Sequence, residues 1–564
     1  MGYMEEYARW RAWAKDAEVS AELRDIEGDD EAIKSRFAVE MSFGTAGLRS
    51  RLGAGPGRMN VYTVGRATQG LAAYVKAQRG EGDGMVVAYD TRKNSDVFAW
   101  ETALCFAANG VKTYLFSQPT SVPELSFSIL HLGAFGGVAI TASHNPKDYN
   151  GYKAFASWGG QLLGDASEEV MRRIDAISFG DTRTMKREDA LESGLLTVLG
   201  SETDEAYYTR LLGMARHPEN IQQYGSQIKA VYTPLYGTGM RTFEATALKL
   251  PYRVSVVESQ RQPNPAFPGL DAPNPEDVRA MAEAMRIARE TGADIALGSD
   301  PDADRMGAAI PDGAGGYTML TGNQVGCILT DYLLRCRAES GQIRPSDFIV
   351  KSFVSTRMAD DITRRFGIRC MTIPTGFKYI SDAIHTHPQD HFVFGFEESC
   401  GFLADDFVRE KDGVMAALLL LEVLCECKKK GVSLLGHLNA LYETYGWHKE
   451  KVIAATYEGL SGMEKIKGIM AGLRAQPPEM LGGQRVVCRI DYEAGTMDDG
   501  VCAKPYDFPR TDALEFALPS GWLVIRPSGT EPKVRVYCGV REATEEASAA
   551  LLAALAADAQ RLLA

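Results

Sequence analysis

One order of elements occurs three times along this chain, and it limits the folds that the chain can adopt. In each of three regions, an apolar, β-rich segment leads into a segment of helical periodicity and then into another strand that ends in a polar loop. Repeated strand–helix–strand units form parallel or mixed sheets covered by helices. The sequence therefore predicts an α/β fold, with strand segments at 85–90, 136–140, 228–239, 252–258, 347–356 and 391–399.

The C-terminal region follows a different pattern. Segments 485–492, 521–529 and 533–540 are predicted strands, and the Ala- and Leu-rich tail 542–564 is a predicted helix. This order of elements is typical of an α+β unit. A chain of 564 residues is long enough for three or four domains, so the α+β unit is predicted to be the last of them.

Charge and hydropathy exclude some classes of partner. The net charge of -13 argues against general binding to nucleic acid or to an anionic membrane, although local arginines can still bind an anionic substrate. The longest apolar stretch, 414–430, contains Glu422 and Glu426 and is predicted to be a buried helix, not a membrane span. The N-terminus lacks the pattern of a signal peptide, and the ten scattered cysteines are expected to be reduced, so the predicted location is cytoplasmic.

The stretch TASHNPKDYNGYK, residues 141–153, follows the predicted strand 136–140. It places Ser143, His144 and Lys153 in one polar loop at the end of a buried strand. A catalytic serine fits this position. A solvated turn shaped by Asn-Pro and Asn-Gly fits it equally well when the stretch is considered alone.

The stretch GSDPDADRMG, residues 298–307, places Asp300, Asp302 and Asp304 directly after another predicted strand. Three carboxylates this close repel one another if they are buried, and a hard divalent cation such as Mg²⁺ removes that cost. The alternative is an acidic, solvated turn. An EF-hand is excluded because Arg305 and Pro311 occupy the positions of its glycine and its last glutamate.

Three more loops carry polar groups suited to a phosphorylated sugar. Glu397 and Ser399, in 395–413, can exchange hydrogen bonds with sugar hydroxyls, and Lys378 follows a turn that by itself indicates a helix cap. The loop RPSGTEPK, 526–533, has the composition of a phosphate cradle, although a hairpin turn explains it as well. FGTAGLR, 43–49, adds an arginine to a tight turn. Together, the loops indicate phosphoryl transfer on a sugar phosphate.

These motifs resemble those of the α-D-phosphohexomutase superfamily, which includes phosphoglucomutases and phosphomannomutases. TASHNPKDYNGYK is similar to its phosphoserine loop, DPDADR to its magnesium loop, FEES with REKDG to its sugar-binding loop, and RPSGTEPK to its phosphate-binding loop. The motifs occur in family order between Phe43 and Lys533. FGTAGLR and LYETYGWHKE look most like the phosphoglucomutase-2-like branch, which includes bacterial phosphoglucomutases and phosphopentomutase-type enzymes.

The resemblance implies four domains around a central cleft. Three would be related mixed-sheet α/β domains, and the last would be a smaller C-terminal α+β domain that can rotate to close the site. The expected ranges are 1–203 for a phosphoserine domain, 204–318 for a metal-binding domain, 319–450 for a sugar-binding domain and 451–564 for a phosphate-binding domain.

The resemblance also assigns roles to individual residues. Ser143 would carry the phosphate and would bind Mg²⁺ together with Asp300, Asp302 and Asp304. The transferring group would be surrounded by Arg49, His144, Lys153 and Arg305. The substrate would be contacted by Thr375, Gly376, Lys378, Glu397, Ser399, Lys411, Arg526, Ser528, Gly529, Thr530 and Lys533. His144 is the expected general base, with Lys153 as the alternative if neighbouring cations depress its pKa.

The implied activity is the interconversion of a sugar 1-phosphate and a sugar 6-phosphate through a phosphoserine and a bisphosphorylated sugar. Glucose is the expected sugar, mannose and a pentose are alternatives, and a sugar bisphosphate such as glucose 1,6-bisphosphate is the expected activator. Gly401 stands where one bacterial branch has a histidine, which weakens the case for a dual mannose/glucose enzyme. An inactive sugar-phosphate sensor is a distant alternative, and an acyl hydrolase is disfavoured because G-x-S-x-G is absent around Ser143. A monomer and a weak dimer remain equally open.

Overall fold

The computed structural model describes residues 2–43, 47–79, 84–457, 460–500, 502–528 and 533–563, without the side chains of residues 460 and 461. The chain forms two compact units, each built from more than one segment. The first unit comprises Met1–Gly322, Ser381–Pro388 and Ser399–Ser433, and the second comprises Asn323–Ile380, Gln389–Glu398 and Leu434–Ala564.

The first sheet of the first unit is mixed and six-stranded. Its region contains α1 (Tyr3–Trp13), α2 (Ala17–Asp25), α3 (Asp30–Phe37), β1 (Gly47–Arg51), α4 (Val61–Arg79), β2 (Met85–Tyr89), α5 (Ser95–Ala108), β3 (Thr113–Phe116), α6 (Val122–Leu132), β4 (Gly136–Ile140), β5 (Tyr149–Ala156), α7 (Gly164–Asp175), a 3-10 turn (Phe179–Asp181), α8 (Arg187–Glu192) and β6 (Leu196–Leu199). The strand order is β1-β5-β4-β2-β3-β6. The strands β4, β2, β3 and β6 run parallel, while β5 is antiparallel to both β4 and β1.

The central strands of this sheet are apolar because helices cover both of their faces. Every residue of β2 and of β4 is buried, as parallel strands in a covered sheet require. Helix α6, which precedes β4, begins at Ser121, whose hydroxyl accepts a hydrogen bond from the Glu124 N–H, and it ends at Gly133 in the left-handed conformation. The sequence thus fixes both the strand and the helix that leads into it.

The second sheet is also mixed and lies in the first unit. Its region contains α9 (Ser201–Leu212), α10 (Pro218–Tyr224), a 3-10 turn (Gly225–Gln227), β7 (Lys229–Thr233), α11 (Gly239–Ala245), a 3-10 turn (Ala247–Lys249), β8 (Arg253–Val256), α12 (Glu258–Arg261), α13 (Ala282–Thr291), β9 (Ile295–Ser299), β10 (Met306–Pro311) and β11 (Tyr317–Leu320). The strand order is β11-β10-β9-β7-β8, with β9, β7 and β8 parallel.

One predicted strand of this region is shorter in the structure. The sequence segment 228–239 gives a strand only over Lys229–Thr233. Pro234 has no N–H to donate to a neighbouring strand, and Leu235 and Tyr236 both have positive φ angles. The chain therefore leaves the sheet at Pro234 and turns into α11.

The third region is divided between the two units. It contains α14 (Gly322–Glu339), β12 (Asp347–Ser352), α15 (Met358–Phe366), β13 (Arg369–Ile373), α16 (Phe377–Thr386), β14 (His391–Glu397), β15 (Gly401–Ala404), α17 (Gly413–Lys430) and α18 (Leu434–Tyr445). In the second unit, β12 is parallel to both β13 and β14. In the first unit, α17 is the predicted buried helix, and its Cys425 and Cys427 are buried free thiols. No helix in the described part of the chain is long and apolar enough to cross a membrane.

The fourth region forms an antiparallel sheet in the second unit. It contains β16 (Trp447–Thr456), α19 (Leu460–Ala475), β17 (Met480–Leu481), β18 (Gln484–Arg485), β19 (Cys488–Asp491), β20 (Thr496–Asp498), β21 (Ala503–Pro505), β22 (Leu514–Leu518), β23 (Gly521–Pro527), β24 (Lys533–Glu542) and α20 (Glu545–Leu562). The strand order of the main sheet is β16-β24-β23-β22-β19-β20-β21. The predicted strand 485–492 is split, since Arg485 pairs within a separate two-stranded ribbon. The α/β class with a C-terminal α+β domain is confirmed.

A partly buried carboxyl on α5, that of Glu101, gives a testable dependence of stability on pH. Burial, reinforced by the charge of Asp16, raises the pKa of Glu101 from 4.5 to about 7. The folded chain therefore holds this proton more tightly than the unfolded chain, so the free energy of unfolding falls as pH rises from 4.5 to about 7. We expect Glu101→Gln to change stability little at pH 4 and to raise the free energy of unfolding by about 1–2 kcal/mol at pH 8.

Urea unfolding at a series of pH values measures this effect. The exposed Glu188 on α8 supplies the matched control, Glu188→Gln. A stability difference between Glu101→Gln and the native chain that is independent of pH would contradict the assignment.

Candidate active site

Ser143 lies in the loop that follows β4 and has an unusual backbone conformation. Its φ angle is 51°, in the left-handed region that non-glycine residues rarely adopt, and its side chain is buried. The Ser143 N–H donates to the Thr141 hydroxyl at 2.8 Å. This backbone strain costs about 1–3 kcal/mol, which contacts elsewhere in the protein must offset. Strained residues of this kind are concentrated at functional sites.

The Ser143 hydroxyl faces an acidic group from the second sheet. It donates to the Asp300 Oδ2 at 2.6 Å and lies 3.1 Å from the Nδ1 of His144. Asp300 follows β9, so two loops that are 157 residues apart in sequence meet at this oxygen. Ser143 itself does not lie in a solvated turn, because it is buried and paired, whereas residues 146–148 of the same loop are exposed.

Three carboxylates form the acidic side of the site. Asp300, Asp302 and Asp304 are fully buried, and one ligand oxygen from each lies within 4.8 Å of those of the other two. Among the described residues, the Oδ1 atoms of Asp302 and Asp304 find no hydrogen-bond partner. Burial, together with the charges of the other two carboxylates, raises the pKa of Asp300 well above its ordinary value. Unpaired, buried oxygens of this kind fit a hard divalent cation, and the three residues could hold one.

Two lysines offset part of this negative charge. The Lys153 Nζ, on β5, lies 2.9 Å from the Asp302 Oδ2, and the Lys411 Nζ lies 2.8 Å from the Asp304 Oδ2. Although burial alone would raise the pKa of Asp304, the charges of Lys411 and Lys153 hold it below its ordinary value. Lys411, expected as a sugar contact, thus has its ammonium on the carboxylate cluster.

Lys153 does not meet the condition for a general base. Burial acts to lower its pKa, but Asp302 and Asp304 outweigh burial and raise it. The condition under which Lys153 would be the alternative base, a pKa depressed by neighbouring cations, is therefore not met, and the ammonium form is favoured. For His144 the opposite holds: burial, followed by the charges of Arg305 and Arg49, lowers the pKa well below its ordinary value. A neutral imidazole beside the Ser143 hydroxyl can accept a proton.

Arginines border the same cluster on two sides. Arg49, on β1, is the pairing partner of Gly151 on β5, and its Nη1 donates to the Asn145 Oδ1 at 3.1 Å. The Arg305 N–H donates to the Asp300 Oδ1 at 3.0 Å, and its Nη1 donates to the Ser399 carbonyl at 3.2 Å. The structure thus brings the predicted catalytic and metal residues together with Ser399 and Lys411 in the first unit.

Glu276 is a site neighbour that sequence reasoning missed. Its carboxylate accepts a hydrogen bond from the Arg305 Nη1 at 2.5 Å. It lies in the proline-rich segment 261–277, whose composition indicates only an extended loop. No local pattern marks this glutamate as a partner of an arginine 29 residues away.

The second unit holds the other predicted sugar contacts. Glu397 ends β14, is buried, and accepts a hydrogen bond from the Gly376 N–H at 2.7 Å. Gly376 has a φ angle of 118°, and Thr375 and Lys378 flank it at the start of α16. Burial lowers the pKa of Lys378. Glu397, Thr375, Gly376 and Lys378 therefore form one local group.

The predicted phosphate-binding residues that the structure describes lie at the end of β23 and at the start of β24. Arg526 is half-buried near the end of β23, and the Ser528 N–H donates to the Lys533 carbonyl at 2.7 Å. Gly529 and Thr530 lie outside the described residues. Arg535, which sequence reasoning missed, is the pairing partner of Arg526 on the neighbouring strand. The two-residue period of strands places Lys533 and Arg535 on one face of β24, and this signal could have identified Arg535.

The first-unit cluster has the parts that phosphoryl transfer needs. A buried serine hydroxyl can carry the group, two ammonium groups and nearby arginines can neutralise its charge, and three carboxylates can hold a cation beside it. A neutral histidine adjoins the same oxygen. Catalysis of this reaction consists mainly of positioning and charge stabilisation, and the arrangement supplies both.

Comparisons with known proteins agree with this chemistry. Four domain profiles of the phosphoglucomutase/phosphomannomutase family match the chain: alpha/beta/alpha domain I at 40–181, domain II at 206–313, domain III at 321–445, and the C-terminal domain at 484–559. A phosphoglucomutase of Staphylococcus aureus (strain MRSA252) is 34% identical over 513 residues, which is 90% of each chain.

Solved structures share the fold. The open form of parafusin, a phosphoglucomutase from Paramecium, has a TM-score of 0.70 at 16% identity and covers 93% of this chain and 95% of its own. A phosphoglucomutase/phosphomannomutase family protein from Burkholderia thailandensis has a TM-score of 0.66 at 18% identity and covers 93% of this chain and 97% of its own. The matches of all four domains and of the relative in S. aureus confirm the family resemblance: this chain belongs to the phosphoglucomutase/phosphomannomutase family.

Proposed function

We propose that the protein is a phosphoglucomutase, which interconverts glucose 1-phosphate and glucose 6-phosphate through a phosphorylated Ser143. Its family makes it a phosphohexomutase, an isomerase of phosphorylated sugars. One observation supports the assignment of Ser143 most strongly: its hydroxyl lies 2.6 Å from Asp300 inside a buried cluster of carboxylates. The name of the S. aureus relative supports glucose as the sugar.

The chemistry consists of two transfers at the same oxygen. In the first, a sugar hydroxyl attacks the phosphorus of phosphoserine 143, so that a new oxygen–phosphorus bond forms while the bond to the Ser143 Oγ breaks. The product is a bisphosphorylated sugar. In the second, the Ser143 Oγ attacks the other phosphate of that sugar, and the isomerised monophosphate leaves. In the first transfer His144 accepts the proton of the attacking sugar hydroxyl and passes it to the departing Ser143 Oγ; in the second it accepts the proton of the Ser143 hydroxyl and passes it to the departing sugar oxygen.

Charge around the transferring group is balanced by the first unit. Asp300, Asp302 and Asp304, with the serine phosphate, would hold Mg²⁺, which supplies charge neutralisation when bound. Lys153 and Lys411, both held as ammonium ions by these carboxylates, stabilise the negative charge on the equatorial oxygens. Arg49 and Arg305 complete the positive border.

The second phosphate and the sugar need a separate set of contacts. We assign the distal phosphate to Arg526, Ser528, Lys533 and Arg535, together with Gly529 and Thr530 of the same motif. Guanidinium groups bind phosphate with two parallel hydrogen bonds, so two arginines on paired strands suit this role. Glu397, Thr375, Gly376 and Lys378 are assigned to the sugar hydroxyls. A trace of glucose 1,6-bisphosphate activates the enzyme by rephosphorylating Ser143.

A substrate panel tests the proposal. We expect purified protein with Mg²⁺ and a trace of the matching bisphosphate to turn over glucose 1-phosphate at least about 10-fold better in kcat/KM than mannose 1-phosphate or ribose 1-phosphate, because hydroxyl contacts discriminate between sugars. A coupled assay of each product measures the rates. Preference for the pentose would replace the glucose assignment, and absence of turnover with every sugar would overturn the mutase itself.

A further inference from the structure

A fully buried arginine lies beneath the Ser143 loop. Arg92 follows β2, and its side chain has no exposed surface. Its guanidinium donates to four main-chain carbonyls between Ser143 and the start of β5. The Nη2 donates to the carbonyls of Ser143 and Asn145. The Nη1 donates to the carbonyls of Pro146, at 2.8 Å, and Tyr149, at 3.1 Å. One side chain thus binds most of the turn from Ser143 to the start of β5.

Asp90 orients this arginine and reaches the serine by a second path. Its carboxylate is also fully buried and lies 3.3 Å from the Arg92 Nε. It accepts hydrogen bonds from the Arg92 N–H at 2.9 Å, from the Ser95 hydroxyl at 2.7 Å and from the Thr141 hydroxyl at 2.6 Å. The Thr141 oxygen in turn accepts the Ser143 N–H. Asp90 and Arg92 therefore fix the N–H and the C=O of the same residue.

The environment makes this pair rigid. The Phe267 ring covers the guanidinium, with 5.2 Å between the Arg92 Cζ and the ring centroid. Burying two charges costs free energy unless close pairing and further hydrogen bonds offset the loss of hydration. Here Arg92 and Asp90 take part in seven hydrogen bonds that offset this cost. The planar guanidinium fork can hold several carbonyls at once, which a lysine ammonium cannot do in the same geometry.

We propose that Arg92 and Asp90 are positioning residues that hold Ser143 in its left-handed conformation and aim its Oγ along the line of phosphoryl transfer. Neither side chain contacts the hydroxyl of Ser143; both act through the main chain of its loop. The inference rests on the proposed function, because it concerns the oxygen that carries the phosphate. Small errors in the position of a reacting atom reduce the rate of the chemical step much more than substrate binding.

Arg92→Lys and Asp90→Asn test the proposal in the full-length protein. We expect kcat to fall about 10- to 100-fold while KM changes less than about threefold. Arg66→Lys is a matched control: Arg66 is also mostly buried, donates to the main-chain carbonyls of Ile174 and Ile177, pairs with one carboxylate and lies over the Phe179 ring. We expect the control to change kcat less than about twofold.

A second readout separates positioning from folding. In Arg92→Ala, millimolar guanidinium chloride is expected to restore at least about 10-fold of the lost kcat, with no such effect on Arg66→Ala, because the added cation can bind in the vacated site. Thermal unfolding checks that every variant is folded at the assay temperature. If Arg92→Lys does not fold, the positioning role is tested by two other measurements. These are the kcat of Asp90→Asn, whose side chain keeps the shape of aspartate, and the rescue of Arg92→Ala by guanidinium.

The outcomes are distinguishable from failure of the proposed function. If the native protein turns over none of the sugar phosphates, the function fails whatever the variants do. If the native protein is active while the Arg92 and Asp90 variants match the Arg66 control, the positioning role is overturned and the mutase stands. A rise in KM with unchanged kcat would also overturn it, since that result indicates a role in substrate binding.

Discussion

Replacement of Ser143 by alanine is expected to reduce kcat by at least about 10⁴-fold, because the oxygen that carries the phosphate is lost. The neighbouring groups cannot take over this role. The His144 imidazole lies beside the Ser143 hydroxyl, 3.1 Å from its oxygen, and does not occupy the position of that oxygen. The Lys153 side chain is held as an ammonium ion by two carboxylates. Protein loaded with glucose 1,6-bisphosphate should gain one phosphoryl group in the native form and none in Ser143→Ala, as measured by intact mass.

Ser157→Ala is the control for this experiment. Ser157 lies in the exposed loop directly after β5, in the same domain, so its replacement tests the effect of removing a serine hydroxyl outside the site. We expect its kcat and its phosphoryl content to match those of the native protein. Phosphorylation of Ser143→Ala together with sustained turnover would show that another residue carries the group.

Replacement of Asp300 by asparagine is expected to reduce kcat about 10³-fold and to abolish stabilisation by Mg²⁺. The Ser143 hydroxyl and the Arg305 N–H donate to different oxygens of Asp300, so the single amide oxygen of asparagine can keep only one of these hydrogen bonds, while the size of the side chain is kept and one charged ligand is lost. In the absence of metal the variant should be at least as stable as the native protein, because repulsion among the three buried carboxylates is reduced. Asp300→Asn is therefore expected to lower kcat and the stability gained from Mg²⁺, but not the stability of the metal-free protein.

Thermal unfolding with and without Mg²⁺ measures both effects, and calorimetric titration with Mg²⁺ measures binding directly. Native protein is expected to gain stability with rising metal concentration, because the ion binds the folded state. Asp271→Asn, at an exposed acid of the same region, should behave like the native protein. Equal stabilisation of the Asp300→Asn variant by Mg²⁺ would show that the ion binds elsewhere.

Local sequence was sufficient for most of the elements and for most of the residues in the candidate site. Strands β2 and β4 were predictable because a parallel strand covered on both faces must be apolar throughout. The loops at 141–153 and 298–307 were predictable as parts of the candidate site because serine, histidine, lysine and clustered aspartates follow directly after such strands. Polar loops at the carboxyl ends of sheet strands are where α/β proteins bind ligands.

Other features depended on contacts between distant segments. The pKa of Lys153 rises because Asp302 and Asp304, about 150 residues later, approach its ammonium; the sequence alone left open whether neighbouring cations lower this pKa. Glu276 contacts Arg305 and Lys411 binds Asp304, and neither contact follows from local spacing. Arg92 lies 51 residues before the serine whose carbonyl it holds.

The sequence by itself therefore determined which segments become buried strands and helices, and which loops carry reactive groups. Those properties depend on neighbouring residues, through periodicity and through the polarity of short stretches. The tertiary structure decided the charge state and the partner of each reactive group. Both depend on burial and on charges within a few ångströms, and in this protein those charges come from segments separated by up to 258 residues, as with Lys153 and Lys411 at the same aspartate.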